Sequence, residues 1–316
     1  MLRSTFFLLF WLIAFSIIAQ SNLKKQFLTF DCQLVVDNDV FTLDLSKDQY
    51  YSSGIYPSVR FLMDSTTKSK NILSFQLNHR IYTPSWIGWE QKTFLDRPYA
   101  GMVSATGGWE FYFHNNQYLK TQLELGWMGP SINMGGMQKL YHSWFGMPEP
   151  KGWKYQINDT PVVNGYVTYI RPFFTSYRLD MSLETNLSFG TVYNNVRQEL
   201  MIRTGQLFPI HQSAYTSSFL GNLRKPRLPE PKLDEFYIFY SPGLEYVLHN
   251  ATLEGSYFGD ASEYTVDAIS WVVQHRVGIM FGWPRYDLSF IYYWRSQENE
   301  TAMTHSYVGI RMNQRF

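Results

Sequence analysis

Three short stretches carry residue types that do chemistry. Asp37-Asn38-Asp39 sets two carboxylates around an amide, and Tyr50-Tyr51-Ser52-Ser53-Gly54 follows with hydroxyls. The segment 130–162 contains Gln138, His142, Glu149, Gly152-Trp153 and Gln156, directly after Gly129-Pro130. A histidine, with a free pKa near about 6.5, accepts a proton from water at neutral pH. Carboxylate, amide and hydroxyl oxygens suit a hard cation. Ser52 as a nucleophile needs an adjacent base. Each stretch also has a plain structural reading. Asp and Asn favour turns that end strands, and a lone loop histidine is ordinarily polar surface. Asp96-Arg97-Pro98-Tyr99 reads as an ion pair with a Pro-fixed entry into a strand. Gly152-Trp153 reads as a shaper of its loop or a contact for acyl chains.

The segments that must position these residues alternate with period two. Leu123, Leu125 and Trp127 alternate with Gln122, Glu124 and Gly126; Leu183, Leu187 and Phe189 alternate with Ser182, Glu184, Asn186 and Ser188. This is the pattern of strands with one apolar and one polar face. Twelve such candidates lie near 32–41, 50–63, 71–83, 100–114, 117–129, 163–177, 181–192, 195–206, 234–249, 268–283, 286–296 and 306–316. Aromatic residues crowd the strand ends, as in Trp109-Glu110-Phe111-Tyr112-Phe113 and Tyr292-Tyr293-Trp294, which fits interfacial girdles. The chain closes on Val308, Ile310, Met312, Gln314 and Phe316, an alternation ending in Phe that resembles the recognition tail of outer-membrane barrels. The expected fold is therefore all-β: a transmembrane, antiparallel, up-and-down β-barrel of about twelve strands, which leaves no backbone donor unpaired in lipid.

Parity then places the connections. If the amino terminus starts in the periplasm, the connections after odd strands lie outside, and the long segments 84–99, 130–162 and 250–267 all belong to that set. All three chemistry-bearing stretches fall on that outer rim. The Pro-rich segment 206–233 is the exception: this count puts it on the periplasmic side, so it is either a long periplasmic loop or the place where the strand count changes.

Composition agrees with a membrane barrel. Of 316 residues, 18% are aromatic and 17% charged, against about 25% charged in soluble domains. A net charge of +1 gives no basic stripe for nucleic acid. Arg3, the apolar run Phe6 to Ile18 and the small residue Ala19 have the layout of a secretory signal peptide over 1–19, leaving 20–316 as the barrel. That run is short for a spanning helix. The single cysteine, Cys32, allows no internal disulfide and reads as a small strand residue.

In order and spacing, the first half of the mature chain resembles the outer-membrane lipid A 3′-O-deacylase family. The matching stretches are Asp37-Asn38-Asp39-Val40-Phe41, Tyr51-Ser52-Ser53-Gly54, Ile81-Tyr82-Thr83-Pro84, Asp96-Arg97-Pro98-Tyr99-Ala100-Gly101, and Met128-Gly129-Pro130 followed by Gln138, His142, Gly152-Trp153 and Gln156. The resemblance implies a twelve-stranded barrel, a Ca²⁺ ion and hydrolysis of an ester-linked acyl chain of lipid A. It implies catalytic roles for His142, Asn38, Asp39 and Ser52, and metal ligation by Asp39, Ser52 and Glu149. Two positions depart from the family pattern. The acid expected six residues after the histidine falls on Pro148, with Glu149 one place late, and a basic residue expected in 84–99 is Trp89, with Lys92 nearby. The expected protein is a monomeric, calcium-dependent hydrolase of the bacterial outer membrane acting on lipid A or a related outer-leaflet lipid. The competing expectations are an acyl hydrolase of another lipid and a non-enzymatic barrel serving as scaffold or pore.

Overall fold

The computed structural model describes residues 28–42, 49–65, 69–113, 115–221, 233–258 and 260–316; the expected signal peptide lies outside them. Twelve strands appear where the alternation places them: β1 (Phe30–Asn38), β2 (Tyr50–Ser65), β3 (Ser69–Thr83), β4 (Ala100–Phe113), β5 (Tyr118–Met128) and β6 (Thr160–Thr175), then β7 (Leu179–Gly190), β8 (Tyr193–Gln206), β9 (Glu235–Asn250), β10 (Trp271–Gly282), β11 (Tyr286–Arg295) and β12 (His305–Arg315). Each strand pairs antiparallel with its sequence neighbours, and β1 closes the barrel on β12, with Asp31 opposite Arg315 and Asn38 opposite Val308. β1 stops at Asn38, short of the expected 41. The Asn38 Oδ1 accepts the Val40 N–H at 2.8 Å and turns the chain into a short 3₁₀ segment, Val40–Thr42.

Burial is inverted relative to a soluble sandwich. On β5, Leu123 and Leu125 are each 53% exposed while Glu124 between them is 0% exposed. On β9, Ile238, Tyr240, Leu244, Tyr246 and Leu248 face outward and Glu235 and Glu245 face inward. An apolar exterior around a polar interior is the arrangement lipid requires of a strand-built span. No helix among the described residues is long and apolar enough to cross a membrane; the strands do so.

The lumen is filled by paired charges. Arg60 meets Asp31 and Glu110, Arg80 meets Glu124, Arg276 meets Glu184 and Glu199, Arg295 meets Glu245, and Arg315 meets Asp287. Such pairs offset the desolvation that an isolated charge would suffer there. The even parity of the strands puts the connections after β1, β3, β5, β7, β9 and β11 at one end. The connection between β8 and β9 lies at the other, and its described part, 207–221, turns up into the barrel. The carbonyls of residues 214–217 receive Arg311, Arg60 and Tyr112, and Glu235 accepts the N–H groups of Phe208 and Ala214.

Candidate active site at the outer rim

Asn38, Asp39 and Ser52 come together where β1 ends and β2 begins. The Asp39 N–H donates to the Ser52 carbonyl at 3.3 Å, and the Asp39 Oδ2 accepts the Gln49 N–H at 2.7 Å. Asn38 lies opposite Ser53. Asp39 and Ser52 are both buried. The β2–β3 register slips between Tyr51 and Ser53, so Ser52 sits in a bulge, a device that re-aims a side chain at a sheet end. Just before it, Tyr50 has φ 57°, a left-handed backbone rare for an aromatic residue.

The long connection after β5 carries His142. Asp159 pins its two ends, accepting Ser131 Oγ at 2.6 Å, the Ser131 N–H at 3.0 Å and Trp127 Nε1 at 3.1 Å. Those hydrogen bonds, Ser131's first, hold the Asp159 carboxyl below its ordinary value. Helix α1 (Met134–Phe145) follows, capped by the Asn133 side chain on Gly136 and ended by Gly146 at φ 67°. Gly135 is required by packing, because a Cβ there would stand 2.7 Å from the Trp153 ring. Trp153 lies against Tyr99 at 4.9 Å and donates its indole N–H to Gln138 Oε1 at 2.7 Å. The inner face of α1 is thereby fixed to the mouth of the barrel.

His142 occupies that inner face and is 3% exposed. Its Nδ1 lies 2.5 Å from the Pro148 carbonyl oxygen. A carbonyl only accepts, so Nδ1 carries the hydrogen and Nε2 is the basic nitrogen. Pro148 thus supplies a backbone orienting group at the position where the resemblance expects an acid. The opposite face of α1 is apolar and exposed, with Met137, Leu140, Tyr141, Trp144 and Phe145 each about half exposed or more.

Other expected residues are placed differently. Glu149 is 62% exposed and pairs with Lys139 at 3.1 Å. Lys92 donates to the Glu263 carbonyl at 2.6 Å, across to the connection after β9. Asp96 and Arg97 do not pair with each other. Arg97, fully buried, meets Glu298 at 3.3 Å and the Thr252 hydroxyl at 3.1 Å, while Asp96 accepts Tyr50 Oη at 2.8 Å. Among the described residues, no three His, Cys, Asp or Glu side chains are gathered closely enough to hold a metal ion. The oxygen-only chemistry of Asp39, Asn38 and Ser52 still suits a hard cation. Sequence reasoning missed the roles of Tyr50, Asp159 and the Pro148 carbonyl. The bulk of Tyr50 hides its backbone conformation, and a backbone acceptor leaves no signature in residue type.

A closed lipid-facing barrel of twelve antiparallel strands around a polar lumen defines a bacterial outer-membrane β-barrel protein. The family model described as outer membrane protein LpxR matches residues 6–316, and the chain belongs to that family. Its fold is similar to that of LpxR from Salmonella typhimurium, with a TM-score of 0.71 at 19% identity over 90% of this chain and 100% of that one. An outer membrane channel from Pseudomonas putida F1 gives a TM-score of 0.48 at 10% identity over 94% and 98% of the two chains. The transport unit of the autotransporter AIDA-I from Escherichia coli gives 0.44 at 10% identity over 96% of each. No curated protein sequence matches the chain.

Proposed function

We propose that this protein removes the ester-linked 3′ acyl chain of lipid A, with His142 as the general base for the attacking water. The observation that carries this reading is α1. One face buries His142 and the other exposes Met137, Leu140, Tyr141, Trp144 and Phe145. A helix of that kind rests at the lipid boundary with its apolar face among acyl chains, which is the depth of an ester bond between headgroup and chain. The substrate is then an outer-leaflet lipid, and a single barrel suffices to take it from the membrane.

In this reading the water oxygen adds to the ester carbonyl carbon while its proton passes to His142 Nε2. The bond from that carbon to the sugar oxygen then breaks, and the proton returns to the departing oxygen. The Pro148 carbonyl keeps the imidazole in the tautomer that does this, and Trp153 with Gln138 keeps α1 against the barrel. Asp39, Asn38 and Ser52 would hold a Ca²⁺ ion. When bound, that ion supplies Lewis-acid polarisation of the carbonyl. Ser52 meets Asp39 through its backbone carbonyl, and a ligand role for Ser52 needs no general base where a nucleophilic one does.

The test is mass spectrometry of lipid A and phospholipids from cells with and without the protein. Loss of one 3′ acyl chain from lipid A is expected, with His142→Ala and Asn38→Ala reducing it about 10²-fold or more and chelator abolishing it. Acyl loss from phospholipid alone would assign the site to another lipid. An unchanged lipid profile in cells with abundant folded protein would remove the hydrolase reading.

A further inference from the structure

The Asp96-Arg97-Pro98-Tyr99 stretch and the left-handed Tyr50 remain unexplained by the chemistry above, and they meet. Tyr50 is 2% exposed. Its hydroxyl donates to Asp96 Oδ2 at 2.8 Å and accepts the Met303 N–H at 2.8 Å. Its ring stands edge-on to His305 at 5.6 Å. Asp96 Oδ1 accepts the Ser85 N–H at 2.9 Å, and the Asp96 carbonyl accepts the Thr301 hydroxyl at 3.1 Å. One hydroxyl and one carboxylate therefore tie together three separate outer connections: the one leading into β2, the 84–99 segment and the 296–304 segment. Next door, Arg97 joins the same 296–304 segment through Glu298 and the connection after β9 through Thr252.

A non-glycine residue in the left-handed region persists where its surroundings over-determine it, and such residues gather at functional sites. At Tyr50 the surroundings are this latch. What the kink accomplishes is visible one residue earlier. It turns the chain at the start of β2 so that the Gln49 N–H reaches the Asp39 carboxylate at 2.7 Å, while two residues later Ser52 bulges to offer its carbonyl to Asp39. We infer that Tyr50, latched by Asp96, is a positioning residue that sets the Asp39 carboxylate for the rim chemistry. This rests on the proposed function, but its geometry can be tested apart from it. Tyr50 and Asp96 themselves touch no reacting group.

The experiment uses full-length protein folded in detergent micelles, with heat-modifiable mobility confirming the closed barrel in every variant. Tyr50→Phe keeps the ring and removes the latch hydroxyl; Asp96→Ala removes its acceptor; Asp96→Asn restores an acceptor. On purified lipid A, Tyr50→Phe and Asp96→Ala are expected to lower kcat about 10–100-fold, the usual cost of losing an orienting partner, with KM nearly unchanged and Asp96→Asn recovering most of the rate. Hydrogen exchange over residues 37–42 and 49–52 is expected to speed up in Tyr50→Phe and Asp96→Ala and not in Asp96→Asn. Parental kcat in Tyr50→Phe, or a fall shared equally by Asp96→Asn and Asp96→Ala, overturns the inference. If the parent cleaves no acyl ester, the proposed function falls, and the exchange pattern alone decides whether the latch positions Asp39.

Discussion

The nitrogen of His142 that meets the Pro148 carbonyl at 2.5 Å carries the hydrogen, so a backbone oxygen fixes the tautomer here, the task a carboxylate performs in Ser-His-Asp sites. A neutral orienting group stabilises an imidazolium less than a carboxylate does. It holds the ring's direction equally well. The acidic residue one place later, Glu149, faces solvent beside Lys139, and an exposed pair of that kind contributes about 0–1 kcal/mol. Glu149→Gln is accordingly expected to leave thermal stability and the calcium demand of the proposed hydrolysis near parental values. A lipid A assay with graded calcium checks this. A large rise in the calcium needed would mean that Glu149 swings inward when substrate or ion arrives.

At the scale of elements, the outer connections act as one braced rim. Glu298 shows how that brace depends on pH. Burial pushes its carboxyl up, but Arg295 and Arg97 outweigh burial and hold it below its ordinary value. A carboxylate lowered in the folded state contributes stability that is complete above the unfolded value and is lost as pH falls through the folded one. Hydrogen exchange of 84–99 and 296–304, corrected for its intrinsic pH dependence, is therefore expected to stay constant from neutrality to near the free glutamate value of about 4.3 and to rise below it. Glu298→Gln is expected to show the faster exchange already at pH 7. At the other end, residues 207–221 act as a plug held through backbone carbonyls. Replacing Ala214–Ser218 by glycine and serine of equal length removes the Tyr215 hydroxyl bound to Glu184 and Arg276 and loosens that hold. Single-channel recording in planar bilayers is expected to show ion steps for this variant and none for the parent.

The whole molecule is an inverted globule, apolar outside and ion-paired within, and its buried charges are gathered in a lumen network. Glu124 is fully buried and receives Arg80 at 2.9 Å, Ser104 at 2.5 Å, Asn78 at 3.1 Å, Asn164 at 3.1 Å and the Tyr166 hydroxyl. Removing one partner of a buried pair strands the other charge at a cost of roughly 3–5 kcal/mol. Glu124→Ala should lower the urea midpoint of the refolded barrel markedly. The double variant Glu124→Ala with Arg80→Met should recover part of that loss, and the same urea titration reads both.

The amino-acid sequence by itself determined the barrel. Period two, an even number of segments, aromatic strand ends and long connections after odd strands are properties of neighbouring residues, and a closed antiparallel meander needs nothing more to be specified. Even the anomalous segment 206–233 fell at the end where parity put it. Asn38, Asp39, Ser52 and His142 were expected at one end of the barrel, and the ends of β1 and β2 and the connection after β5 do lie at one end. Tertiary structure alone decided how they are held. Whether Asp96 meets Arg97 or Tyr50, and whether Tyr50 reaches Met303, depend on connections far apart in the chain meeting over the lumen. No local pattern encodes that meeting, because its partners are backbone atoms and side chains some 50 to 250 residues apart, chosen by the closure of the cylinder.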